Sequence, residues 1–106
     1  MGAETDLLVV YCTASPEEGD ALARALVEEG LAACVNIASV RSCYIWEGNV
    51  NLDPEALLII KTTRGRFEAL RKRIVELHSY SLPEIIALPV AEGHKPYLDW
   101  LARSVG

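Results

Sequence analysis

The chain has 106 residues, 51% of them apolar and 24% charged, which makes one domain with a real core and excludes an intrinsically disordered chain. No apolar run reaches the roughly 18 residues of a membrane-spanning helix, and Met1 to Asp6 carries two acids and no cation, so an uncleaved chain outside the membrane is expected. Ten basic against fifteen acidic residues leave a net charge of −5, a field that repels phosphate backbones and argues against a nucleic-acid partner.

Leu7 to Cys12 is a short β-rich run, and the Thr13 to Glu18 segment behind it reads as a strand end leading into a helix. Ser15 as N-cap, Pro16 at the first helical position and Glu18 three residues on form a capping box, which predicts the helix start there. Ala21, Leu22, Ala25 and Leu26 keep helical spacing until Gly30 supplies a C′ residue. Leu31 to Val40 and Arg41 to Trp46 then read as one long, bent strand, the latter part alternating at period two. Glu47-Gly48-Asn49 is a turn signal, and Leu57 to Thr62 is a strand able to pair back as an antiparallel hairpin. Pro54 has no N–H to donate, which puts it at a strand start or on an edge.

Thr62 or Thr63 is the expected cap of a second helix, in which Phe67, Leu70, Ile74 and Leu77 recur at spacings of three and four. Arg64, Arg66, Arg71, Lys72 and Arg73 read as its solvated face. His78 closes that helix, where a cationic ring would favour the negative end of the dipole. After the Ser79 to Pro83 loop, Glu84 to Val90 is a third apolar run, ended or held at an edge by Pro89. Gly93-His94-Lys95-Pro96 opens a short last helix, with His94 exposed and Tyr97, Trp100 and Leu101 at packing positions.

The element order β-α-β-β-α-β with an added C-terminal helix is the split β-α-β plan, an α+β fold with a four-stranded antiparallel sheet and two helices on one face. The other face exposes Tyr44, Trp46 and alternate residues of the Leu57 and Ile85 runs. An apolar patch of that kind predicts a homo-oligomer, with the hairpin as the contact. The three cysteines, Cys12, Cys34 and Cys43, are odd in number and lack C-x-x-C spacing, which excludes a disulfide framework or zinc knuckle and fits a reducing cytoplasm.

The segments Val10-Tyr11-Cys12-Thr13-Ala14, Leu31-Ala32-Ala33-Cys34-Val35-Asn36, Tyr44-Ile45-Trp46-Glu47-Gly48, Ile60-Lys61-Thr62-Thr63, Pro83-Glu84-Ile85-Ile86 and Tyr97-Leu98-Asp99-Trp100-Leu101 closely resemble the CutA family of divalent-cation tolerance proteins, in order and spacing from Leu7 to the C-terminus. The resemblance implies a ferredoxin-like fold, a P-II-like homotrimer, a link to tolerance of copper and other divalent metals, and no catalytic activity. It also implies copper ligands at Cys12 and at a histidine pair closing the second helix, of which only His78 is present, since Leu77 occupies the preceding position. His78-Ser79-Tyr80 stands where relatives often carry His-Pro-Tyr, and Cys43 and Ile45 flank Tyr44 where an aliphatic and a polar or basic residue are common.

Each candidate has two readings. Cys12 can be a soft thiolate ligand for copper, its pKa lowered beside a helix N-terminus, or a small buried hydrophobe. His78 can ligate through a neutral ring nitrogen or anchor a loop, and Glu84 can add an oxygen ligand. Cys34 reads as core, and Cys43 receives no function. Lys61, Tyr80, Glu84, Tyr44 and Trp46 form a second group: where strands of adjacent subunits converge, they make an aromatic-walled cleft with opposite charges, suited to a small molecule or an ion, or else a salt-bridge set that fixes subunit register. No G-x-S-x-G, P-loop, G-x-G-x-x-G or H-E-x-x-H motif occurs, so an enzyme is not expected. Two functions follow: a trimeric copper-binding tolerance protein using Cys12, His78 and Glu84, or a P-II-like regulatory or scaffold trimer that binds a small molecule or partner protein in the cleft.

Overall fold

A computed structural model of the protein describes residues 6–106. Strand β1 (Leu7–Ala14) leads to helix α1 (Gly19–Glu28), followed by β2 (Cys34–Trp46) and β3 (Asn49–Thr63). Helix α2 (Phe67–Leu77), strand β4 (Ile86–Pro89) and helix α3 (Lys95–Ser104) complete the chain. All strand pairs are antiparallel and the sheet order is β2-β3-β1-β4, which is the expected ferredoxin-like plan with an extra helix.

Period two decides which side chains meet the helices. Leu8, Val10, Cys12 and Ala14 of β1 and Ala56, Leu58 and Ile60 of β3 are buried and pack with Leu22, Leu26, Leu70 and Ile74 of α1 and α2. Their neighbours Val9, Tyr11, Thr13, Leu57, Ile59 and Lys61 alternate to the other face and are half-buried. A second cluster, Leu7, Leu98 and Leu101, docks α3 on the rim of the sheet. There the leucines take the inward positions, while Tyr97 and Trp100 lie 42% and 40% exposed with their rings 5.5 Å apart, only partly covered by their own chain, Tyr97 beside Cys34 of β2.

Helix α1 begins at Gly19, later than the capping box places it. Ser15 to Glu18 closes as a turn, with the Glu18 N–H donating to the Ser15 carbonyl at 3.1 Å. Only half the box forms, the Ser15 N–H reaching Glu18 Oε1 at 3.5 Å. The helix ends as predicted: Gly30 has φ +74°, its N–H bonds the Val27 carbonyl at 3.1 Å and the Leu31 N–H bonds that of Leu26 at 3.0 Å, a Schellman closure.

Strand β3 starts at Asn49, well before the expected Leu57, and runs through Pro54. The Glu47-Gly48 turn has φ of +50° and +82°, the two-residue geometry that keeps strand twist continuous through a hairpin. Pairing therefore resumes at once, Trp46 with Asn49. Strand β1 stops at Ala14 opposite Ala56, so residues 49–55 pair with β2 alone and form a two-stranded arm in which Pro54 is tolerated on the unpaired side. Neither Thr62 nor Thr63 caps α2 with its side chain: a 3₁₀ turn at Arg64–Arg66 intervenes, and the buried Thr62 hydroxyl donates to the Leu31 carbonyl at 2.7 Å. Leu77 ends the α2 stripe 39% exposed rather than in the core, and β4 keeps only four residues of the Glu84 to Val90 run.

Candidate functional site

Where the arm leaves the body, the face of the sheet turned away from the helices carries Thr13, Ser42, Tyr44, Trp46 and Glu55. The segment 80–84, which leads from α2 to β4, lies against them and encloses a cleft of about 680 Å³ lined also by Cys43, Tyr80, Ser81, Leu82 and Glu84. The Tyr80 hydroxyl donates to Glu55 Oε2 at 2.7 Å, and the Tyr44 hydroxyl donates to Asp53 Oδ2 at 2.8 Å. Burial and the Glu55 carboxylate push the Tyr80 hydroxyl well above its ordinary pKa, and the hydrogen bond to Asp53 raises that of Tyr44. Both hydroxyls stay protonated and donate. Glu55 is 7% exposed, Glu84 is exposed, and among the described residues neither carboxylate has an ion-pair partner.

His78 positions this lining. As the C-cap of α2 it is 8% exposed. Its Nδ1 accepts the Tyr80 N–H at 3.1 Å, which leaves Nε2 as the donor to the Thr13 carbonyl at 2.7 Å and assigns the neutral tautomer. The 3.5 Å approach of Glu18 Oε1 to Nδ1 is then a contact with a lone pair, not an ion pair. The ring also packs on Tyr80, centroids 4.6 Å apart, so the neutral imidazole ties the start of segment 80–84 to the end of β1. The expected cationic partner of the helix dipole is replaced by a neutral clamp.

Cys12 lies in the core with 0% exposure, two residues before the end of β1. Its Sγ faces the Thr13 carbonyl at 3.7 Å. Burial, reinforced by the carboxylates of Glu84, Glu18 and Glu55, pushes its pKa up to about 12. The expected lowering beside a helix N-terminus is reversed, because α1 begins only at Gly19 and desolvation dominates. Cys12 and His78 thus meet around one backbone carbonyl, but the thiol is protonated and both ring nitrogens are engaged. No group of three His, Cys, Asp or Glu side chains among the described residues is close enough to hold a metal ion. Cys12, His78 and Glu84 of one chain therefore do not fit a resident copper ion.

Of the second group, Tyr44, Trp46, Tyr80 and Glu84 come together and Lys61 does not. Lys61 pairs with Val9 and Cys34, about 20 Å along the strand from Glu55 at ~3.3 Å per residue. Its ammonium donates to Asn36 Oδ1 and approaches Cys34 Sγ at 3.9 Å. Glu55 was not legible as a site residue, because it follows Pro54, expected at a strand start or on an edge, and precedes the strand expected from Leu57. Its phase with Lys61 on one strand was the available signal.

Against known proteins, the family model described as CutA1 divalent ion tolerance protein matches residues 7–104. A divalent-cation tolerance protein CutA of Thermus thermophilus is 49% identical over 100 residues, 93% of this chain and 97% of that protein. The crystal structure of CutA1 from Oryza sativa superposes with a TM-score of 0.93 at 43% identity, covering 99% of this chain and 98% of that one. A structure from Nostoc, described as a PII-like protein CutA in apo form, gives a TM-score of 0.90 at 36% identity over 93% of this chain and 97% of its own.

Proposed function

The chain belongs to the CutA1 divalent ion tolerance protein family, and from that premise we propose that it contributes to metal-ion tolerance as a P-II-like homotrimer that binds a ligand in its cleft and carries out no reaction. The observation that carries this reading is the cleft itself, an aromatic-walled space of about 680 Å³ holding two carboxylates that have no ion-pair partner among the described residues. Such a space is of the size that encloses a small molecule. The trimer is supported by apolar side chains left open in two places: Ile86 and Leu88 on the sheet face turned from the helices are 52% and 44% exposed, and Ile45 and Val50 on the arm are 74% and 73% exposed, surfaces that further copies would cover. A cytoplasmic setting fits three unpaired cysteines and helices none of which, among the described residues, is long and apolar enough to cross a membrane.

Since no three metal-ligating side chains among the described residues converge in one chain, a copper site in this assembly would draw ligands from more than one copy, with the exposed Glu84 as one contributor. Complementation separates the two routes to tolerance. In a copper-sensitive strain lacking its own tolerance protein, wild type and Cys12→Ala should restore growth equally, whereas Trp46→Ala and Glu84→Gln should not. Native mass spectrometry of the same metal-stripped variants should show intact trimers. Loss of rescue by Cys12→Ala with the trimer intact would return the function to copper ligation at the thiol.

A further inference from the structure

We propose that the cleft selects a small organic cation, an ammonium or guanidinium group on an apolar body, held against Trp46 and Tyr44 with its charge directed to Glu55 and Glu84. The inference rests on the cleft being the binding site. Its charge pattern gives the sign of the ligand: the lining contains two carboxylates and no lysine, arginine or histidine. Glu55 is 7% exposed, its hydrogen-bonding partner is the neutral Tyr80 hydroxyl, and no cation of the described chain offsets its charge. A carboxylate withdrawn from water without a counter-charge is costly, and an entering cation removes that cost.

The donors point the same way. The hydroxyls of Tyr80 and Tyr44 are already committed to Glu55 and Asp53, so an anion would meet carboxylates with the strongest donors turned away. Beside the small hydroxyls of Thr13, Ser42 and Ser81, the same hydrogen bonds leave the faces of the tyrosine and tryptophan rings lining the space, and ring faces attract cations. Trp46 and Tyr44 are 43% and 40% exposed, available for stacking. Size excludes a bare ion as the occupant that fills the space: the cleft measures about 680 Å³, and among the described residues no three His, Cys, Asp or Glu side chains converge as a metal site requires. An ammonium with an aromatic or alkyl body matches both the acids and the walls.

The test uses benzyltrimethylammonium and phenethylguanidinium as probes, with benzoate, benzyl alcohol and copper(II) as comparators, on the intact metal-stripped protein. Melting temperature and Trp46 fluorescence in a Trp100→Phe background are read together. The two cations should raise the melting temperature and quench the fluorescence in a saturable way, while benzoate and benzyl alcohol leave both unchanged. Trp46→Ala and Glu84→Gln should each weaken the cations at least about tenfold, consistent with loss of a desolvated cation–π or charge contact. Glu84 is exposed, so its variant remains informative if Glu55→Gln fails to fold. No response at millimolar probe, equal responses to benzoate, or unchanged affinity in both variants overturns the proposal. A response to copper alone that Glu84→Gln abolishes also overturns it while leaving the cleft as the binding site. Failure of the cleft variants to affect tolerance in cells is a separate result, bearing on the function and not on the ligand's charge.

Discussion

At His78 and Cys12 the environment, not the residue type, decides the chemistry. An imidazole that donates from one nitrogen and accepts at the other is a fixed clamp with no lone pair to offer a metal. His78→Phe keeps an aromatic ring and removes both bonds, so the Thr13 carbonyl loses its imidazole donor; the expected loss is about 1–3 kcal/mol, read as a lower urea midpoint at fixed protein concentration. At Cys12 the folded pKa near 12 lies above the ordinary value of 9.0. Between those values the unfolded thiol has ionised and the folded one has not, so high pH favours unfolding. The contribution is complete below about pH 9 and is lost as pH rises towards about 12; Cys12→Ala should flatten that part of the stability profile. Thiol reagents at neutral pH should modify the exposed Cys43 and spare Cys12 in the native protein.

Between elements, α1 meets β3 at Gly19. A Cβ there would lie 2.8 Å from the Ala56 Cβ, closer than two carbons tolerate. Glycine to alanine normally stabilises a helix by about 1 kcal/mol, so Gly19→Ala should reverse that sign and cost about 1–3 kcal/mol through overpacking, measured by chemical denaturation. Period and capping made the order of elements, the Gly30 closure and the hairpin turn legible in the sequence, because these are local features. The helix starts were missed where tertiary contacts overrode local preference: Ser15 was drawn into a turn, and the Thr62 hydroxyl crossed to Leu31 instead of capping. The site was half legible for the same reason. Tyr44, Trp46, Tyr80 and Glu84 lie at positions that alternation and loop placement assign to one region. Glu55 depended on the length of β3, and the separation of Lys61 from the cleft depended on register, which no single segment contains.

Seen whole, the molecule is elongated, with principal extents of 45 × 25 × 21 Å, because the arm projects past the layer of helices. Its surface ion pairs, Arg24 with Glu28, Arg71 with Glu68 and Lys95 with Asp99, lie within single helices, while Arg73 reaches from α2 to Glu29 beyond the end of α1. Exposed pairs of this kind contribute about 0–1 kcal/mol each, so stability should respond more to dilution than to salt. A thermal melt followed from high to low protein concentration should shift downward if the apolar sheet and arm are covered by further copies; a concentration-independent midpoint would speak for a stable monomer. The arm gives this coupling a local readout. A two-stranded ribbon is marginal on its own, so backbone amides of residues 43–52 should exchange with deuterium through small local openings, while those of residues 56–62, flanked by β1 and β2, exchange only when the body unfolds. Proteolytic nicking should follow the same gradient, beginning at the Glu47-Gly48 tip, and the contrast between tip and base would record how much of the protein is assembled at any moment.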